Sequence, residues 1–252
     1  MPLKFAANLT LLWPELPYLD RFSAAADAGF DTVEILFPYD LAVKETQQAL
    51  LANGLRLILI NAPPPNYTGG PRGFAAQPEH VDRFRYDMKR VFRYAEALGV
   101  RMIHVMTGAA EGDEARAVLI DNMRWAAGAA PKGLTLMLEP LNPVAQPGYF
   151  LNDYALAAGV LDELSLPNVA LQYDSYHAQM IHGDALAVFD EYLPLIGHIQ
   201  IGDSPDRGPP GAGEVDFPAL FARIDASGYD GWISAEYHPG GKTEDTLHWK
   251  TT

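Results

Sequence analysis

The 252-residue sequence predicts an α/β fold, a (β/α)8 TIM barrel in which residues 1–252 form a single domain. Three observations carry this expectation. Short apolar runs recur roughly every thirty residues, about the length of one strand-helix unit. Amphipathic stretches separate the runs, and no break in composition divides the chain. Eight runs are present, the number that closes a parallel sheet on itself; an open doubly wound sheet is the alternative.

The elements follow in order. KFAANL, near Leu3 to Leu9, is the first strand, and the pattern DRFSAAADAG is the helix after it. DTVEILFP from Asp31 precedes LAVKETQQALLANG, and LRLILINAPP from Leu55 precedes VDRFRYDMKRVFRYAEALG. RMIHVMTG from Arg101 is followed by EARAVLIDNMRWAAGAA, and LTLMLEPLN from Leu134 by DYALAAGVLDEL. VALQYD from Val169 leads to GDALAVFDEYLPL, GHIQIGD from Gly197 to FPALFARIDASG, and WISAEYHP from Trp232 is the last strand. Several helical patterns end in Gly, as helix C-termini often do. NAPPPNYTGGPRGFAAQP and DSPDRGPPGAGEVDF are too rich in Pro and Gly for regular structure. Both follow strand C-termini, where barrel enzymes keep their active-site loops.

The formal net charge is −14 and no basic run exists, which argues against a nucleic-acid partner. There is no cysteine, so disulfides, thiolate metal sites and cysteine nucleophiles are excluded. No apolar run approaches a membrane span. Near the N-terminus, Pro14 and Glu15 interrupt the apolar stretch and no cleavage site follows, so it reads as a strand and a cytoplasmic location is expected. The expected partner is a small-molecule substrate, with neither nucleic acid nor membrane. No interface signature is visible, and association into homo-oligomers is left open.

The last four strands each carry, at or near the C-terminal end, a residue that could ligate a cation: Glu139, Asp174, Gln200 and Glu236. Their separations of 35, 26 and 36 residues would stand them on adjacent strands at one mouth of the barrel. Alternation puts Gln200 on the face of His198, Asp174 with Gln172 and Glu236 with Ser234, while Ile199, Ile201 and Ala235 face the helices. Three carboxylates crowded inside a barrel would repel one another unless a cation neutralised them. Oxygen ligands without sulfur suit Mg²⁺ or Mn²⁺ better than Zn²⁺. The bland alternative is that each acid makes an unrelated salt bridge or helix cap.

His177, three residues beyond Asp174, could reach the same mouth as substrate binder or ligand. His104 could hydrogen-bond a substrate oxygen or be a satisfied core histidine. His198 reads as structural, and His238 and His248 as exposed. Arg72 and Arg207, in the strand-end loops, could clamp a substrate carboxylate in bidentate fashion or order their loops. Trp13, Phe37 and Tyr67 could wall the pocket, with core or loop packing as the plainer role of each.

ANLTLLWPELP, IHVMTG, LEPLN, QYDSYHAQ, HIQIGDSPDRGPPGAGEVDF and AEYHPGGKTEDTLHW resemble the hydroxypyruvate isomerase family, within the xylose isomerase-like barrels. The similarity spans nearly the whole chain and is weakest around PPPNYTGGPRG. It implies that Glu139, Asp174, Gln200 and Glu236 hold a divalent metal ion, Mg²⁺ or Mn²⁺. It also implies that Glu139 and Glu236 are the acid-base pair, and that His177 and Arg207 contact substrate. The implied reaction is a carbonyl shift in a short hydroxy keto acid, hydroxypyruvate to tartronate semialdehyde, through an enediolate. A 2-oxo-tetronate isomerase, a ketose 3-epimerase or a sugar lyase of the same superfamily are the alternatives.

Overall fold

The computed structural model describes residues 2–63 and 73–251. Eight parallel strands close into a barrel in sequential order. They are β1 (Lys4–Asn8), β2 (Thr32–Glu34), β3 (Arg56–Ala62), β4 (Met102–Val105), β5 (Thr135–Leu138), β6 (Val169–Asp174), β7 (Ile196–Ile201) and β8 (Trp232–Ala235). The seam is the β1–β8 pair, with Ala6 opposite Ser234. Around them lie α1 (Asp20–Asp27), α2 (Val43–Ala52), α3 (Val81–Leu98), α4 (Gly112–Ala129), α5 (Tyr154–Leu164), α6 (Ser175–His182), α7 (Ala185–Tyr192) and α8 (Phe217–Ser227). Among the described residues no helix is long and apolar enough to cross a membrane.

The pleat sorts the strand residues as alternation requires. Ile199, Ile201 and Ala235 are fully buried in the apolar layer shared with the helices. Gln172, Asp174, His198, Gln200 and Ser234 are equally buried, on the other face. Ala6, Ile58, Leu59 and Met137 form a separate apolar cluster, packed by Met102, Ala170 and Trp232 near the strand N-termini. The barrel interior therefore has an apolar floor, with the polar side chains above it toward the C-terminal mouth.

Two elements differ from the sequence reading. β2 stops at Glu34, although the apolar run continues through Ile35 and Leu36. Its register with β3 shifts between Val33 and Glu34, and the Leu36 amide leaves the ladder to donate to Thr10 Oγ1 at 2.9 Å. The second is α6, which the sequence reading lacks. Asp174 creates it by accepting the Tyr176 N–H at 2.8 Å as N-cap, and Gly183 closes it in the left-handed region at φ 73°.

The loop from β7 to α8 is ordered from within by Asp203. Its Oδ1 accepts the amides of Ser204 (2.9 Å) and Val215 (3.0 Å), and its Oδ2 those of Gly211 (3.0 Å) and Gly213 (2.7 Å). Gly213 permits this closure, since a Cβ there would lie 1.8 Å from the Ser204 carbonyl oxygen. Hydrogen bonds to a charged group contribute about 1.5–3 kcal/mol each, part of which water recovers when they are lost. Asp203→Ala is therefore expected to lower the unfolding free energy by at least about 2 kcal/mol in urea denaturation. An unchanged midpoint and slope would show that the loop is not held this way.

Candidate active site

Each strand end contributes by the same device: the chain leaves the sheet with a polar side chain still on the inner face. Glu139 follows β5 directly, Asp174 ends β6, Gln200 is the penultimate residue of β7, and Glu236 follows β8 with its amide still donating to Ile201 O at 2.9 Å. All four are buried.

Gln172 joins two of them, because its Nε2 donates to Glu139 Oε2 at 2.9 Å and to Gln200 Oε1 at 2.7 Å. Ligand atoms of Glu139, Asp174 and His177 lie within 4.8 Å of one another. Such proximity leaves its mark on the acidities. Burial, and then the charges of Glu236 and Asp174, push the Glu139 carboxyl well above its usual range. Burial raises Glu236 to about 8 although Arg207 opposes it, and raises Asp174 against the same opposition.

Arg207 is the cation that the structure sets among them. Its Nη2 lies 2.6 Å from Asp174 Oδ2 and 3.1 Å from Glu236 Oε1, and its Nε donates to the Glu236 carbonyl oxygen at 3.1 Å. The guanidinium lies over the Tyr176 ring at 5.1 Å, and its stem passes Gly202, where a Cβ would come within 3.2 Å of Arg207 Cγ. The backbone of Arg207 sits at φ 53°, a left-handed conformation that costs a non-glycine residue about 1 kcal/mol or more.

His177 has its proton assigned by its neighbours. The Asn142 backbone N–H donates to Nδ1 at 2.9 Å, and Asn142 Nδ2 lies 2.9 Å from the same atom. The Asn142 amide is itself oriented, since its Oδ1 accepts from Val144 and Ala145. Burial, and then the Arg207 charge, hold the ring's pKa well below its usual value, so it is neutral with the proton on Nε2. A protonated Nε2 cannot ligate a cation; it can donate to an oxygen. Arg207 Nη1, also a donor, stands 3.0 Å from this atom, so two donors face each other there, a repulsion that an acceptor oxygen entering the mouth would relieve.

His104 lies with Nδ1 3.2 Å from Glu139 Oε2, and burial followed by Arg207 lowers its pKa to about 3. It is a neutral partner of Glu139. Its Nε2, Glu139 Oε1 and Gln172 Oε1 are buried without a hydrogen-bond partner among the described residues. Oxygen donors dominate the cluster and Glu139 keeps one carboxylate oxygen uncommitted, so the donor chemistry of Glu139, Asp174, Gln200 and Glu236 suits a hard divalent cation, which would share Asp174 and Glu236 with Arg207.

Of the other sequence candidates, His198 is structural as read, donating through Nε2 to Glu34. His238 and His248 are exposed. Trp13 is a core residue, fully buried against Phe30, with Nε1 donating to Glu244 at 2.7 Å. Phe37 borders a groove with Tyr18, Arg21 and Leu41. Arg72 and Tyr67 lie outside the described residues. Asp174 shows both features of the bland alternative: one oxygen caps α6 and the other pairs with Arg207. The sequence reading missed Asn142, Gly202 and Glu34. LEPLN carries Asn142 beside Glu139, and strand alternation around Val33 would have pointed to Glu34.

A profile of the xylose isomerase-like TIM barrel family matches residues 22–251. The chain belongs to that family. It is 42% identical over 251 residues to a 2-oxo-tetronate isomerase of Cupriavidus necator, covering 98% of this chain and 96% of the relative. It is 37% identical over 252 residues to a hydroxypyruvate isomerase of Escherichia coli, covering 98% of each. The resemblance to the hydroxypyruvate isomerase family thus extends over nearly the full length. Among solved structures, one described as an AP endonuclease, family 2, from Brucella melitensis superposes with a TM-score of 0.95 at 40% identity, covering 100% of this chain and 98% of that one.

The raised pKa values have a testable sign. A carboxyl whose pKa is higher folded than unfolded favours the folded state while protonated, and that contribution fades as pH rises through the folded value. In the presence of chelator, ¹³C NMR of labelled glutamate is expected to show Glu236 titrating near pH 8, and higher still in Arg207→Gln. Titration in the ordinary carboxylate range, unmoved by Arg207→Gln, would contradict this electrostatic account.

Proposed function

We propose that this chain is a cytoplasmic, divalent-metal-dependent isomerase that shifts a carbonyl along a short hydroxy keto acid. Hydroxypyruvate, giving tartronate semialdehyde, and its four-carbon analogue 2-oxo-tetronate are the substrates considered. The observation that carries this reading is the convergence of two glutamates with raised pKa and two oxygen-binding donors on one mouth.

Glu139, Asp174, Gln200 and Glu236 would hold a Mg²⁺ or Mn²⁺ ion, which would supply Lewis-acid polarisation of the substrate's oxygens. The rest falls to the chain's own groups. One glutamate of the pair Glu139 and Glu236 removes the proton from the hydroxyl-bearing carbon, and the other delivers a proton to the former carbonyl carbon. The hydroxyl proton passes to the former carbonyl oxygen, so the product is an isomer. His177 donates from Nε2 to a substrate oxygen, fixed in that tautomer by Asn142. Arg207, anchored through Nε and Nη2, offers Nη1 to the substrate carboxylate. His104 steadies Glu139. Arg72, from its position in the sequence alone, is a second candidate for the same carboxylate.

The relatives named for the three-carbon and four-carbon substrates are about equally similar, which supports the reaction class more than the chain length. A nuclease, as in the description of the Brucella structure, is disfavoured by a net charge of −14 and by the proton-bearing tautomer of His177.

Glu139→Gln and Glu236→Gln are each expected to keep the circular dichroism and melting behaviour of a folded barrel. Each is expected to lower turnover of the better of the two substrates by roughly 10²–10⁴-fold, the range that general acid-base groups supply. Near-normal turnover in both variants would remove the glutamates from the chemistry.

A further inference from the structure

One member of the proposed cation set differs from the rest in kind. A carboxylate offers two equivalent oxygens, so Glu139, Asp174 and Glu236 can ligate whichever way they turn. Gln200 can ligate only through Oε1, and an amide turned the other way presents two N–H groups to the cation. Something must therefore decide which way the Gln200 amide faces.

Glu34 stands at the C-terminal end of β2, across the barrel interior from β7, and is fully buried. Three donors converge on its two oxygens: Asn8 Nδ2 at 3.4 Å and Gln200 Nε2 at 2.9 Å on Oε2, and His198 Nε2 on Oε1. A carboxylate accepts hydrogen bonds and donates none, so the atom of Gln200 that faces it has to be nitrogen. Oε1 is thereby turned to the other side, where Gln172 Nε2 donates to it at 2.7 Å. Reversing the amide would set oxygen against the Glu34 carboxylate and NH₂ against the NH₂ of Gln172, two repulsive contacts at once. The direction propagates further, since the remaining hydrogen of Gln172 Nε2 goes to Glu139 Oε2 and leaves Glu139 Oε1 uncommitted.

We propose that Glu34 is a positioning residue that locks the Gln200 amide with its carbonyl oxygen presented for cation binding. The proposal rests on the metal-binding reading above. His198 and Asn8 hold the Glu34 carboxylate in turn, and this gives the buried histidine of β7 its role.

The test is a double-mutant cycle read by calorimetric titration of the chelator-stripped protein with Mn²⁺, independent of turnover. Glu34→Gln is isosteric but brings an NH₂ of its own, and is expected to weaken Mn²⁺ binding about 10–100-fold, the usual effect of losing the partner of a ligand. In a Gln200→Ala background the same change is expected to cost less than about twofold, because the group it acts through is gone. Glu34→Asp keeps an acceptor-only carboxylate and is expected to bind Mn²⁺ more tightly than Glu34→Gln. Should Glu34→Gln fail to fold, Glu34→Asp in the two backgrounds carries the same cycle. Equal losses in both backgrounds, no loss in the first, or tighter binding by Glu34→Gln than by Glu34→Asp would each overturn the proposal while leaving the metal reading in place. A wild-type protein that takes up no Mn²⁺ would sink both.

Discussion

Like-charge repulsion among carboxylates inside a closed barrel is the constraint from which the other features of this site follow. Glu139 and Asp174 bring oxygens within 4.8 Å of each other, with Glu236 bridged to Asp174 through Arg207 and Glu34 a short hydrogen-bond chain away. Two unit charges 4 Å apart interact by about 4 kcal/mol at the effective dielectric typical of proteins, a large fraction of the 5–15 kcal/mol that keeps a domain folded. The chain answers in two ways. Burial and crowding raise the pKa values of Glu139, Asp174 and Glu236, and one guanidinium is brought in over the mouth.

That guanidinium depends on a loop with no regular structure of its own. Asp203 gathers four loop amides, Gly213 allows the close approach, and Gly202 lets the Arg207 stem pass beside the Glu236 backbone. The left-handed backbone at Arg207 is a further local cost, tolerated where the surroundings over-determine the conformation. Similar economy governs the neutral groups. Asn142 fixes the proton of His177, and Gln172 is committed through both its hydrogens to Glu139 and Gln200. Proton positions in this pocket are therefore dictated by acceptor-only carboxylates and backbone amides.

The barrel was legible in the sequence because its signal is periodic: strand runs, helical stretches and strand-end acids recur at the spacing of one strand-helix unit. Alternation then placed Gln172, His198 and Ser234 with the acids correctly, because a strand with one apolar face and one polar face leaves no other choice. What was not legible depends on single contacts. Alternation marks Glu34 as inward-facing but does not say what it meets, because its partners His198 and Gln200 are 164 and 166 residues away. α6 is eight residues long and is started by the side chain of Asp174, a residue that the spacing argument had already assigned to the cation set. His177 was placed at the mouth correctly, but the choice between ligand and donor required the Asn142 amide 35 residues away.

The account stands most directly on the claim that two separate glutamates pass protons to and from adjacent carbons of a short keto acid. Proton NMR of hydroxypyruvate and 2-oxo-tetronate incubated in D₂O with the Mn²⁺- or Mg²⁺-loaded enzyme tests it. The metal is chelated before spectra are recorded. The predicted result is conversion of at least one substrate, with solvent deuterium in the product at the carbon that bore the carbonyl. Conversion without deuterium at that carbon would mean that the hydrogen taken from one carbon is returned to the other, directly or by a single base, and would contradict the division of roles between Glu139 and Glu236.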